Sequence, residues 1–253
     1  MRLRLRKRKK FTFLREGPSG KTLIMLHGMF GAVWNFKWLF DHLKNDYDVI
    51  VLELPVHGGG PSAKVQDFTE FLHEFITQMG LKNVTLIGNS FGGLIAADYN
   101  NSYPEEVLAM VLISPAGLEE NSVLGDGKVP RRDREKIKEI ILKTFYDARH
   151  VTEKLLDEVM AITTSRRALY TSHLFQAARK YSVRNFLSNF KLPVMIIGGE
   201  NDEITPPYVM EEFNSKIQGS ELYIFPKCCH AAHIEVPPQV YNVLNPFLRK
   251  VYA

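Results

Sequence analysis

Ser90 lies between glycines in Gly88-Asn89-Ser90-Phe91-Gly92, and a hydroxyl held in such a turn is suited to nucleophilic attack. A serine hydroxyl is a weak nucleophile unless a base takes its proton and a third group orients that base. Eight histidines are available. His230 follows an apolar run near the end of the chain, with His233 three residues on as its rival. An acid is expected at another strand end, and Gly198-Gly199-Glu200-Asn201-Asp202 supplies one. Asp202 is the choice there, with Glu200 and Glu203 as neighbours, and Ser90, Asp202, His230 is a chain order that such triads use. The segment His27-Gly28-Met29-Phe30-Gly31 should bring a backbone amide close to Ser90. The Met29 and Phe91 N–H groups would then form an oxyanion hole for the charge that develops in a tetrahedral transition state. Gly28 serves close backbone approach and His27 shape, and both, with Phe30, are expected in the pocket wall.

These residues need strands to carry them to one edge. Short β-branched runs at 22–26, 48–53, 83–88, 107–114, 194–198 and 221–225 alternate with helical patterns, which predicts βαβ units on a mostly parallel sheet. The uninterrupted apolar runs Leu23-Ile24-Met25-Leu26 and Val194-Met195-Ile196-Ile197 belong to strands covered on both faces, at the sheet centre. Ser90 then falls where a strand turns into a helix, with glycines leaving the backbone room to close. Between 119 and 187 the alternation stops and helical spacing takes over, as in Ile137, Ile140, Ile141, Phe145 and in Leu155, Val159, Ile162. The organisation predicted is a core over 1–118 and 188–253, with an all-helical lid at 119–187 above the strand ends.

Charge is unevenly placed. Residues 1–10 hold seven Lys/Arg and no acid, and 119–187 hold 14 basic and 10 acidic residues, which leaves −7 on the rest of a chain whose net charge is +4. An acidic body argues against nucleic acid as partner. The alternation Arg2-Leu3-Arg4-Leu5-Arg6, continued by Phe11 and Phe13, predicts a hairpin with one apolar face. A solvated face is the ordinary meaning of such a run, and attachment to an anionic surface is the alternative. No transmembrane segment or secretory signal is read, so the cytoplasm is the expected location. Cys228 and Cys229 are adjacent, a poor arrangement for a disulfide, and match no common metal spacing. They are expected as buried thiols. His57, in Pro55-Val56-His57-Gly58-Gly59-Gly60, reads as loop, because no helix opens directly after the glycines as phosphate binding would need. Trp34, Phe36 and Trp38 read as packing residues of the first helix.

Taken together, His27-Gly28, the turn at Ser90, Asn201-Asp202 followed by Ile204-Thr205-Pro206, and His230 with Glu235 and Pro237 resemble the α/β-hydrolase superfamily over nearly the whole chain. The resemblance selects His230 over His233 as the base and places a lid where the helical insert lies. Gly88-Asn89-Ser90-Phe91-Gly92-Gly93 and the run 220–225 look like the carbon–carbon hydrolases of meta-cleavage products, a likeness that adds Asn89, Arg166 and Arg167 to the pocket. Met29-Phe30-Gly31 in place of a longer glycine-rich segment, and Ala231 in place of a tryptophan, depart from that group. The same run resembles the pimeloyl-carrier-protein methyl esterases, which implies an acyl carrier protein as partner for Arg131, Arg132, Arg134, Lys136 and Lys138, where a solvated helix face is the ordinary meaning of such a run. The common implication is hydrolysis of a small carboxylic ester through an acyl-enzyme, with neither metal nor organic cofactor. Carbon–carbon bond hydrolysis is a second enzymatic reading, and a ligand receptor on the same fold a non-enzymatic one.

Overall fold

A computed structural model of the chain describes residues 4–58, 64–118, 133–165 and 168–253. Its centre is an eight-stranded sheet. In chain order the strands are β1 Arg6–Arg8, β2 Phe11–Glu16, β3 Thr22–Leu26, β4 Asp48–Leu52, β5 Val84–Asn89, β6 Val107–Ile113, β7 Val194–Gly199 and β8 Glu221–Phe225. They lie side by side as β1-β2-β4-β3-β5-β6-β7-β8. From β4 to β8 all pairs are parallel, while β1 with β2 and β2 with β4 are antiparallel. The six β-branched runs are therefore six strands of one parallel sheet, with ends within a residue of expectation.

Every residue of β3, β4, β5 and β7 is buried, because helices cover both faces of the sheet. The helices are α1 Lys37–Leu43, α2 Val65–Met79, α3 Phe91–Ser102, α4 Arg134–Leu142, α5 Glu153–Thr164, α6 Ala168–Lys180, α7 Pro207–Lys216, α8 Ala232–Glu235 and α9 Pro237–Val251. Two large apolar clusters result: α2, α3 and α7 pack on one face of the sheet, α1 and α9 on the other. Helix α2 shows the sequence logic. Phe68, Phe71, Leu72, Phe75 and Ile76 recur at helical spacing and are buried, Phe71 and Phe75 pack on Phe11 and Phe13 of β2, and Gly80 ends the helix with φ +63°.

Three expectations change in detail. Continuous apolarity put β7 at the sheet centre, but it is one strand from the edge, covered on both faces all the same. Apolar runs report covering by helices, not order in the sheet. The hairpin β1–β2 forms, yet β2 buries Leu14 as well as Phe11 and Phe13, because β4 binds it into the main sheet. Trp34 is half exposed, while Phe36 is buried as expected.

The insert is helical throughout its described part. Ile137, Ile141, Phe145, Leu156 and Val159 of the α4–α5 region form a third, small apolar cluster that includes Ala231, the neighbour of His230. Helix α6 differs: Leu174, Phe175 and Ala178 belong to the main core. Just after α6, Tyr181 donates to the buried Asp98 carboxylate of α3, which also accepts from Thr69 of α2. The insert is thus sewn to the helix that Ser90 opens. No helix among the described residues is long and apolar enough to cross a membrane.

Candidate active site

Strand β5 runs straight into α3 with only Ser90 between them, and that abruptness sets its backbone at φ +54° and ψ −117°. Such a conformation costs on the order of 1–3 kcal/mol in a non-glycine residue and persists only when the surroundings impose it. Here the Ser90 N–H donates to Ile113 O at 2.9 Å, and Ser90 O accepts from the N–H groups of Leu94 and Ala116. The crossing also demands glycine on both sides. A Cβ at Gly88 would lie 2.3 Å from Gly92 O, and one at Gly92 would lie 2.1 Å from Leu26 O. With a side chain at either position, α3 could not close against β3 and β5.

Asp202 follows β7 and His230 follows β8, and the two meet with Nδ1 of the imidazole 2.9 Å from Asp202 Oδ2. A carboxylate can only accept, so the Nδ1 proton is donated to it and Nε2 is left as the basic nitrogen. Asp202 is 3% exposed and collects further donors: the N–H groups of Ile204 and Thr205 on Oδ1, and Thr205 Oγ1 on Oδ2 at 2.9 Å. Burial disfavours its charge, but the adjacent imidazole and these hydrogen bonds outweigh that and hold the carboxyl below its ordinary value. Glu200 and Glu203 are exposed. His233, the rival base, is 2% exposed and stacked on Phe36, and burial lowers it to about 3. It has no carboxylate to orient it among the described residues.

Ser90 and His230 face one cavity of about 150 Å³. Gly28, Met29, Phe30 and Gly31 line it from the loop after β3, and Asn89 and Phe91 flank the serine. Ile140, Ile141, Phe145, Leu155, Val159 and Phe175 close it from the insert, and Ala231, His233 and Ile234 lie on the histidine side. The loop after β3 approaches closely, since a Cβ at Gly28 would be 3.4 Å from Ser90 Cβ. Met29 follows Gly28 and lines the cavity, and Phe91, the first residue of α3, has an N–H with no carbonyl four residues back to receive it.

The pocket assignment of His27 is corrected. Its imidazole is 1% exposed and does not line the cavity: Nδ1–H donates to Gly28 O at 2.8 Å, and Nε2 accepts from the Leu54 N–H at 3.0 Å. Burial lowers its pKa to about 4, against the smaller effect of the Gly28 carbonyl, so it is neutral and no ion-pair partner for Glu53 at 3.9 Å. Its work is to brace the loop from behind. Arg166 and Arg167, like Arg131 and Arg132, lie outside the described residues. Arg134 is spoken for by Glu153 and Asp157. Cys228 and Cys229 are buried free thiols, both raised by burial and nearby carboxylates, Cys229 to about 12. His57 sits in a loop and reaches Thr171 of α6.

Three residues at the site carry roles that sequence reasoning missed. Thr205 braces Asp202, and its spacing of three after the acid was the available signal. Asn89 faces the cavity and also donates from Nδ2 to Ile113 O and to His230 O, which ties the backbone of the histidine to the serine turn. Glu235 accepts from the Cys229 N–H at 2.8 Å and from the Tyr146 N–H at 2.6 Å, while the His230 N–H donates to Thr144 O. The segment after α4 is thereby hydrogen-bonded to the loop that holds His230, a pairing 86 residues apart for His230 and Thr144. Only folding brings such partners together.

Known proteins resemble this chain over most of its length. The chain is 25% identical over 250 residues to the dihydrolipoyllysine-residue acetyltransferase component of the acetoin cleaving system of Cupriavidus necator, covering 94% of this chain but 65% of that protein, just under two thirds of its length. It is 22% identical to the monoacylglycerol lipase ABHD6 of Bos taurus over 94% of this chain and 79% of the other. Among solved structures, MGS-MChE2, an alpha/beta hydrolase enzyme from the metagenome of lagoon sediments at Mar Chica, Morocco, superposes with a TM-score of 0.74 at 29% identity, covering 98% of both chains. The family model for the alpha/beta hydrolase fold matches residues 21–149 and 158–237, and with this sheet order and turn the chain belongs to that family.

Proposed function

We propose that this chain is a serine hydrolase that cleaves a small, neutral carboxylic ester through an acyl-enzyme. The observation that carries the reading is the meeting, on one apolar cavity, of Ser90 in a strained turn and His230 oriented by a buried carboxylate. In the first half-reaction His230 Nε2 takes the Ser90 proton as Oγ attacks the ester carbonyl, and the oxyanion settles against the Met29 and Phe91 amides. The imidazolium, stabilised by Asp202, then protonates the leaving alcohol. In the second half the same base deprotonates water, which attacks the acyl-serine, and Ser90 recovers its proton from His230 as the acid leaves.

Size and charge narrow the substrate. An apolar cavity of about 150 Å³ is large enough for a group of benzene size. Its lining among the described residues is chiefly apolar, which suits an uncharged acyl group. It also leaves an acyl carrier protein, which would dock outside the cavity, as a separate matter.

Incubation with p-nitrophenyl butyrate and with a fluorophosphonate probe tests the proposal. Ester turnover is expected, with one probe molecule attached per chain, and Ser90→Ala should abolish the labelling and lower turnover by 10⁴-fold or more, a scale set by loss of a triad nucleophile. Turnover unchanged in Ser90→Ala would overturn the assignment. Faster cleavage of a coloured ring-fission product than of any ester would move the function to carbon–carbon hydrolysis, and acyl transfer to an added thiol in preference to water would make it a transferase.

A further inference from the structure

The basic start of the chain has no part in the site, and its place in the fold gives it one outside. Strand β1 is exposed along its length on the outer edge of the sheet. Phe13 pairs with Leu52, the last residue of β4, so Phe11 and the turn at Lys9–Lys10 project beyond the carboxyl ends of the parallel strands, the edge on which Ser90 and His230 stand. Cross-strand pairing with Phe13 and Phe11 puts Arg6 and Arg8 on one face of the hairpin, leaving Lys7 on the other. Lys10 pairs with Glu74, and Arg8 lies against Met79. Arg4, Arg6, Lys7 and Lys9 are exposed and have no carboxylate partner among the described residues.

The same edge carries exposed apolar side chains. Trp34 stands on the segment leaving β3, Tyr208 at the start of α7 after β7, and Leu142, Tyr146 and Leu169 on the insert above the strand ends, each 37% exposed or more. Leu5, 42% exposed, precedes β1. Charge on an edge strand also deters strand-to-strand association, but that use needs no exposed apolar side chains at the same ends of the strands. Outside the insert the rest of the chain carries −7 against the +7 of residues 1–10, so a negative surface attracts the hairpin and repels the body. Cations and apolar side chains presented together at one edge fit an interface with both anionic headgroups and acyl chains.

We propose that the β1–β2 hairpin docks this protein on anionic lipid bilayers, with the edge that bears the cavity turned toward the membrane. The contact is peripheral and reversible. Each Lys or Arg near an anionic surface is worth about fivefold in partitioning, and the effect decays over a Debye length, so binding must weaken steeply with salt.

Co-sedimentation of the full chain with phosphatidylcholine vesicles, with and without about a third phosphatidylserine, tests this. The protein should pellet with the anionic vesicles at low salt, stay in solution with the zwitterionic ones, and be released at 0.5 M NaCl. Arg6→Gln with Lys7→Gln should lower the partition coefficient about 25-fold while leaving the melting temperature and the hydrolysis of a water-soluble ester unchanged. Ser90→Ala should bind vesicles as the wild type does, so docking and catalysis fail separately. Equal binding to both vesicle types, or full binding by the double variant, would overturn the proposal. So would capture of duplex DNA or of an acidic carrier protein by the same residues in preference to vesicles, which would give the hairpin a different partner.

Discussion

Asp202 is an acceptor with its lone pairs almost fully used: two backbone N–H groups, the Thr205 hydroxyl and the His230 imidazole converge on it. Saturation of this kind fixes the carboxylate in position, and through it the ring it holds. Thr205 is the member most easily removed without disturbing the chain, since valine matches its shape. Thr205→Val should fold normally and lower kcat for a p-nitrophenyl ester by about tenfold, the worth of one hydrogen bond of about 1.5 kcal/mol made to a charged group. Serine at the same position should restore most of the loss, a result that a purely packing role would not give. His27 shows the other use of a buried imidazole. Both of its nitrogens are committed to backbone groups, so it shapes the loop that carries Met29 and takes no proton from substrate.

At the level of elements, the arrangement rests on loops being tied to one another across long stretches of chain. The Asn89 amide joins the serine turn to the carbonyl of His230, and Glu235 joins the His230 loop to the end of α4. The second tie gives the insert a fixed point beside His230. Glu235→Ala removes the acceptor of two backbone N–H groups and should free the α4–α5 segment, with amide exchange at Tyr146 and its neighbours faster by about tenfold or more. KM should rise more than kcat falls, because the cavity wall loosens while Asp202, His230 and Ser90 keep their own contacts. Unaltered exchange at Tyr146 would show that the apolar cluster around Ile137 and Phe145 holds the segment unaided. The Asp98 carboxylate plays a similar part at the other end of the insert, binding α3, α2 and Tyr181 together.

For the molecule as a whole, two buried histidines set an acid limit. His27 is lowered to about 4 and His233 to about 3, both from an ordinary value near 6.5 and chiefly by burial. Between those values and 6.5 the unfolded chain binds protons that the folded one refuses. Their contribution is therefore complete above about pH 6.5 and is lost as pH falls toward their folded values. Asp202, also lowered, adds a loss that begins only near the ordinary carboxyl range. Glu53, raised by burial, opposes these trends in part. Urea unfolding should show a fall of roughly 2–4 kcal/mol between pH 7 and pH 5. His233→Phe keeps the ring stacked on Phe36 and should remove about half of that dependence while Ser90 still labels with a fluorophosphonate. Loss of labelling in this variant would instead make His233 part of the chemistry.

Much of this was legible in the sequence because local rules wrote it. Strand runs covered on both faces are apolar throughout, a strand that turns at once into a helix needs glycines where the backbones touch, and a helical insert breaks the alternation of the sheet. Those rules gave the fold class, the serine turn and the strand ends that bear Asp202 and His230, and the family resemblance chose His230 from its neighbour. Tertiary structure decided what depends on contacts between distant segments. It turned His27 away from the cavity onto Leu54, brought Thr205, Asn89 and Glu235 to bear on the His230 loop, moved β7 off the sheet centre, and set the basic hairpin on the edge that carries the site. Periodicity encodes which face of an element is covered; it holds no record of which distant backbone group a side chain will meet.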